Sequence, residues 1–178
     1  MYTMKQDGTA LTSLSRMTGR TTCGYFTTDD SRVIFSSTMT AGKDCPAPPD
    51  MSQGYVWPIY NSYRTYSAKA DGSELFPAEP EAPRSYSAGT TLCHDGSVVF
   101  TSDRDGDLEL YVGTQDKLGT IKDVKRVTQS SGYDGGAFFS PDCKHLVWRA
   151  SRPKPGKELD EYRAFLKQHL VKPGELEL

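Results

Sequence analysis

No apolar run in the chain approaches the roughly 18 residues that a membrane-spanning helix requires, so no helical membrane span is expected. Charge of one sign is also missing. With 21 Lys and Arg against 23 Asp and Glu the formal net charge is −2, which leaves no electrostatic footprint for nucleic acid. Histidine is scarce, and His94, His145 and His169 follow no ligand or catalytic spacing. G-x-S-x-G, H-E-x-x-H and Walker-type loops are all missing, so no catalytic constellation is legible and neither an enzyme nor a cofactor is expected. The opening MYTMKQDGTALTSLS lacks the apolar segment of a secretory signal.

Cysteine is sparse as well. Cys23, Cys45, Cys93 and Cys143 form no C-x-x-C pair, and they allow three full pairings among which the sequence does not choose. Reduced, buried thiols are the expectation, because nothing in the opening residues supports an oxidising compartment. Cys93-His94 and Cys143-x-His145 are suggestive, since thiolate and imidazole bind zinc. Four ligands would have to come from two adjacent turns, however, and no metal site is expected.

What is present is Gly, Pro and Tyr, as in turn-rich β proteins, and repetition. A strand, Asp-containing turn and strand occur as CGYFTTDDSRVIFSS, TTLCHDGSVVFTS and GAFFSPDCKHLVWRAS. The turn residues are Asp29, Asp95 and Asp142, and each is followed by an aromatic: Phe35, Phe100 and Trp148. A turn Asp accepts hydrogen bonds from nearby backbone N–H groups and fixes the reversal. The runs VIF, VVF and LVW are β-branched or aromatic and suit strands buried on both faces. A second pattern sets Tyr2, Tyr66 and Tyr111 five residues before Asp7, Asp71 and Asp116. A short strand is predicted after each, over residues 10–14, 74–76 and 125–128.

These patterns return at a spacing of roughly 40–45 residues, that of a four-stranded propeller blade. The expected fold is therefore all-β, about three blade equivalents of antiparallel strands, with one short helix in an insertion. The boundaries predicted are residues 1–18 for the end of a blade, 19–83 for a blade with an insertion at 39–62, 84–129 for a third, and 130–178 for an incomplete one with an insertion at 152–174. Residues 175–178 repeat the run 107–110 that leads into Tyr111. The chain is thus expected to be part of a longer propeller, or to close by pairing its ends or assembling with copies of itself. Unpaired blade edges predict self-association.

Both insertions lie between the second and third strands of a blade and are expected on one face, the best candidate for binding. The first carries Tyr55, Trp57, Tyr60 and Tyr63, aromatics suited to a protein partner or to sugar rings, or else simply packing the loop. The second is predicted to hold an amphipathic helix over 158–170, with Leu159, Tyr162, Leu166 and Leu170 on one side. The carboxylate-dense run 103–109 reads as a hairpin turn with Arg104 offsetting charge, and as a Ca²⁺ loop only secondarily.

FFSPDCKHLVWRAS and VVFTSDRDGDLELYV resemble the blades of TolB-type propellers, whose usual blade has a Ser-Pro-Asp-Gly turn and a Ser-x-Arg-Asp-Gly hairpin. Cys143 and Asp30 stand where that turn has Gly, and Thr27-Thr28 where it has Ser-Pro. The resemblance implies a non-catalytic protein-interaction scaffold of the cell envelope, periplasmic or extracellular. The alternative is the propeller portion of a prolyl-oligopeptidase-like hydrolase whose catalytic domain lies outside this sequence.

Overall fold

A computed structural model describes residues 1–52, 54–79, 84–174 and 176. In chain order the strands are β1 (Tyr2–Thr3), β2 (Thr12–Ser13), β3 (Thr21–Phe26), β4 (Arg32–Ser37), β5 (Trp57–Pro58), β6 (Arg64–Lys69) and β7 (Phe76–Pro77). There follow β8 (Ser87–Leu92), β9 (Ser97–Ser102), β10 (Glu109–Gln115), β11 (Ile121–Arg126), β12 (Asp134–Phe139) and β13 (Leu146–Ala150). Helix α1 (Lys157–Leu166) and strand β14 (Leu170–Val171) complete the described elements.

Two four-stranded antiparallel sheets, β3-β4-β6-β7 and β8-β9-β10-β11, are flanked by the two-stranded pairs β1-β2 and β12-β13. The full sheets are meanders of neighbouring strands, and β8 packs across β3, β4 and β6 while β12 packs across β8 and β9. Sheets stacked in this way, each laid by its first strand onto the one before, are propeller blades.

The core lies between blades. Ile34 and Ala78 of one sheet meet Leu92, Val98, Phe100, Tyr111 and Ile121 of the next. From the other face of that second sheet Val99 and Leu110 meet Ala137, with Phe139, Leu146 and Trp148 beside them. Alternation along β9 therefore sends Val98 and Phe100 one way and Val99 the other, and all three are fully buried. The repeated aromatic–Tyr pair also reappears as geometry. Phe35 opposes Tyr66 and Phe100 opposes Tyr111 in register, with ring centroids 6.0 and 5.9 Å apart.

The turns hold as the aspartates require. Asp29 accepts from Thr27 Oγ1 and Ser31 N, Asp95 from Ser97 N, and Asp142 from Ser140 Oγ and Lys144 N. Asp30 and Cys143 adopt φ 57° and 61°, the left-handed conformation that Gly96 takes in the sister turn at φ 89°. Replacing the turn Gly thus leaves the turn geometry intact.

Four expectations are corrected. First, β13 is not buried on both faces: Val147 is 52% exposed, because among the described residues only the preceding sheet covers that strand. Second, the strand predicted over 125–128 is β11, which begins at Ile121 because the ladder to β10 continues through a bulge to Gln115↔Ile121. Third, the helix stops at Leu166. His169 turns left-handed at φ 57° and Leu170 leaves the helical stripe to pair with Pro58. Fourth, the cysteines are neither all reduced nor all buried. Cys93 and Cys143 form a disulfide with Cα atoms 5.8 Å apart, while Cys23 and Cys45 are free and exposed. The sequence alone does not show that the first turns of two adjacent blades meet. The proposed match of residues 175–178 lies outside the described residues apart from Leu176. No described helix is long and apolar enough to cross a membrane.

Candidate interaction face

The two insertions meet. β5 from the first and β14 from the second form a two-stranded antiparallel sheet, Pro58 opposite Leu170 and Trp57 opposite Val171, and Ile59 N donates to the His169 carbonyl over 2.8 Å. Under this sheet Ile59, Leu108, Tyr133 and Val171 form a buried cluster, with Trp57, Tyr86 and Leu166 packed around it. Tyr133 and Tyr86 immediately precede β12 and β8, so the joined insertions sit over the starts of the first strands of two blades. Helix α1 is tied down by Phe165, buried at 6% exposure, and by the Tyr162 hydroxyl donating to Asp107.

The aromatic quartet of the first insertion divides. Tyr63 is buried and meets Tyr86 edge-on at 5.8 Å, and burial pushes its phenol up to about 12. Tyr60 stacks on Tyr63 at 6.1 Å and donates its hydroxyl to the Ala47 carbonyl. Trp57 meets Tyr133 edge-on at 5.9 Å and has the Arg149 guanidinium 5.8 Å above its ring. Tyr55 alone points outward, 67% exposed, near Met51 in sequence, which is 46% exposed.

Beside the face, α1 and the end of β13 enclose a cleft of about 600 Å³ lined in part by Arg152, Lys154, Glu158, Tyr162 and Lys172. Its charges are largely engaged within the fold. Lys172 pairs with Glu161 at 3.0 Å, and Arg152 Nη2 donates to the fully buried Asp134 over 2.6 Å.

The carboxylate run 103–109 is consumed by structure. Asp103 accepts from Tyr86 N, and desolvation raises its carboxyl above the usual range. Asp105 accepts from the Tyr111 hydroxyl, and Asp107 from Leu108 N and Gly132 N. Arg104 offsets charge only in part, its guanidinium opposing the rise at Asp103. It reaches across to the buried Glu79, Nη2 donating to both carboxylate oxygens at 3.0 and 3.2 Å, and lies over the Phe100 and Tyr111 rings.

Two features escape sequence reasoning. One is a bulge repeated at the same place in each blade, between β3 and β4, β8 and β9, and β12 and β13. Cys23, Gly89 and Gly136 occupy its left-handed position at φ 52°, 71° and 63°. The glycines after the strand starts were its only signal. The other is how close the suggestive Cys and His residues come: Cys93, His94 and Cys143, without His145, bring their ligand atoms within 4.8 Å of one another.

The fold defines a propeller-blade scaffold. No family model and no curated protein matches the chain. Among solved structures it is similar to a protein assigned as TolB from Agrobacterium tumefaciens, at 15% identity over 73% of this chain and 54% of that one, with a TM-score of 0.46. It is also similar to TolB from Acinetobacter baumannii, at 16% identity over 87% of this chain and 43% of that one, with a TM-score of 0.41. The chain spans about half the length of these solved structures.

Proposed function

We propose that this chain is a non-catalytic protein-interaction scaffold whose binding face is the surface built by the two joined insertions. The observation that carries this reading is the β5–β14 pairing, which fuses loops from separate blades into one supported surface. Loops held by a rigid scaffold are where propellers and comparable folds place recognition. Tyr55 offers a large amphipathic ring there, exposed and set on a packed base. A second surface supports self-association: Tyr25 and Phe26 are 39% and 47% exposed on β3, the edge strand of its sheet.

A photo-crosslinking amino acid placed in turn at Tyr55, at Phe26 and, as a control, at the exposed Leu118 tests both surfaces in cells producing the chain. The expected result is a discrete heterologous adduct from position 55, an adduct of twice the chain mass from position 26, and neither from position 118. Equal labelling at 55 and 118 would sink the binding-face reading. Adducts at 55 confined to one hydrolase would favour the alternative, a propeller serving a peptidase.

A further inference from the structure

We propose that Cys93, Cys143 and His94 form a redox-gated site for a thiophilic divalent cation, zinc above all. The disulfide and the metal would then be alternative cross-links between the same two blades. Cys93 directly follows the first strand of one blade and Cys143 lies in the equivalent turn of the next, 50 residues on. His94 follows Cys93 directly, and its Nε2 lies 3.0 Å from the Pro141 carbonyl. A carbonyl only accepts, so Nε2 carries the proton and Nδ1 the lone pair. A backbone acceptor fixing the tautomer of a ligating histidine is the usual second-layer arrangement of metal sites.

The dimensions suit both cross-links. The two sulfurs and a ring nitrogen of His94 already lie within 4.8 Å of one another, so small side-chain movements bring them to a shared cation. Zinc–sulfur bonds of about 2.3 Å in a tetrahedron hold two sulfurs about 3.8 Å apart. Cα atoms 5.8 Å apart accommodate that spacing as well as the disulfide. Three protein ligands leave a fourth position for water or an incoming donor. The site sits in the turns between first and second strands, remote in the blade from the joined insertions, so it is independent of the binding face proposed above.

Gating follows from the sulfur chemistry. A dithiol reductant supplies two electrons and two protons. The Cys93–Cys143 bond breaks, two thiols form, and the reductant leaves as its own disulfide. The cation then replaces both thiol protons, which pass to water. In the oxidised chain the sulfurs are bonded to each other and the site does not bind.

The test uses Co²⁺ as a spectroscopic probe on the full chain carrying Cys23→Ser and Cys45→Ser, which removes the two free exposed thiols. After reduction by a phosphine, one equivalent of Co²⁺ is expected to give sulfur-to-cobalt charge-transfer absorption that Zn²⁺ abolishes. The oxidised chain should give none. His94→Gln should weaken binding by roughly tenfold or more, and Cys143→Ser should remove the two-thiolate spectrum. No absorption on reduction, or equal binding after Cys93→Ser with Cys143→Ser, would overturn the site. Should reduction unfold the chain, circular dichroism reads the result. Recovery of the β spectrum with Zn²⁺ supports the proposal, and failure to recover it refutes it.

Discussion

The turn carboxylates carry a pH dependence whose sign is fixed. Asp29, Asp95 and Asp142 in the first hairpins, and Asp7, Asp71 and Asp116 in the outer ones, are held below the usual carboxylate value. Asp29, Asp7, Asp71 and Asp142 owe this first to side-chain hydrogen bonds from Thr or Ser, Asp95 to the Ser97 backbone N–H, and Asp116 to Lys122. A folded-state value below the unfolded one contributes stability above the unfolded value and loses it as pH falls through the folded one. Asp103 and Glu109 act oppositely, since burial raises both, and their contribution is lost as pH rises. Urea midpoints should therefore hold down to about pH 4 and fall below it. Replacing Asp29, Asp95 and Asp142 together by Asn should flatten that acid limb. An unchanged limb would show that the hairpin aspartates do not govern acid stability.

Each blade bends at the same bulge, and the residue at its left-handed position decides how comfortable the bend is. Gly89 and Gly136 take positive φ without a Cβ penalty, whereas Cys23 takes it at φ 52° with one. A non-glycine residue there costs about 1–2 kcal/mol. Cys23→Gly should therefore stabilise the chain by up to about 1 kcal/mol after the extra backbone entropy of Gly is set against the gain. Thermal or urea unfolding measures it directly, and a destabilised variant would mean that the Thr22–Cys23 side-chain contact of 3.2 Å outweighs the strain. The insertion elements obey a different constraint. The stripe Leu159, Tyr162, Leu166, Leu170 reads as helix throughout. A backbone ladder to β5 withdraws Leu170, and Phe165 becomes the buried anchor of α1.

The disulfide ties two blades that otherwise share side-chain packing and hydrogen bonds, among them Asp134 N to the Leu108 carbonyl and Thr91 Oγ1 to the Ala137 carbonyl. Closing a 50-residue loop removes enough unfolded-state entropy for about 4 kcal/mol of stabilisation. The pair Cys93→Ser with Cys143→Ser should lower stability by an amount of that order, against less than about 0.5 kcal/mol for Cys45→Ser at its exposed position. A loss as small as that of Cys45→Ser would show that packing between the blades already fixes their spacing. Tm shifts under metal-free conditions separate this effect from any contribution of a bound cation.

Strand, turn and repeat were legible because they are local. A turn Asp, a β-branched run and a Tyr at fixed offset act over a few residues, and copying them three times made the blade visible. Trp148 and Asp142 could be assigned architectural parts on those grounds. What one blade does to the next was not legible. Sequence spacing places Cys93 and Cys143 far apart, and only stacking of the sheets sets their turns side by side. The same holds for the insertions: their common face followed from the repeat, but the backbone pairing of Trp57 with Val171, and the packing of Tyr63 on Tyr86, join segments distant in sequence. Local pattern specifies the blade, because its signals are short-range hydrogen bonding and alternation. The tertiary structure decided the cross-link and the face, because both depend on distances between blades that no local pattern encodes.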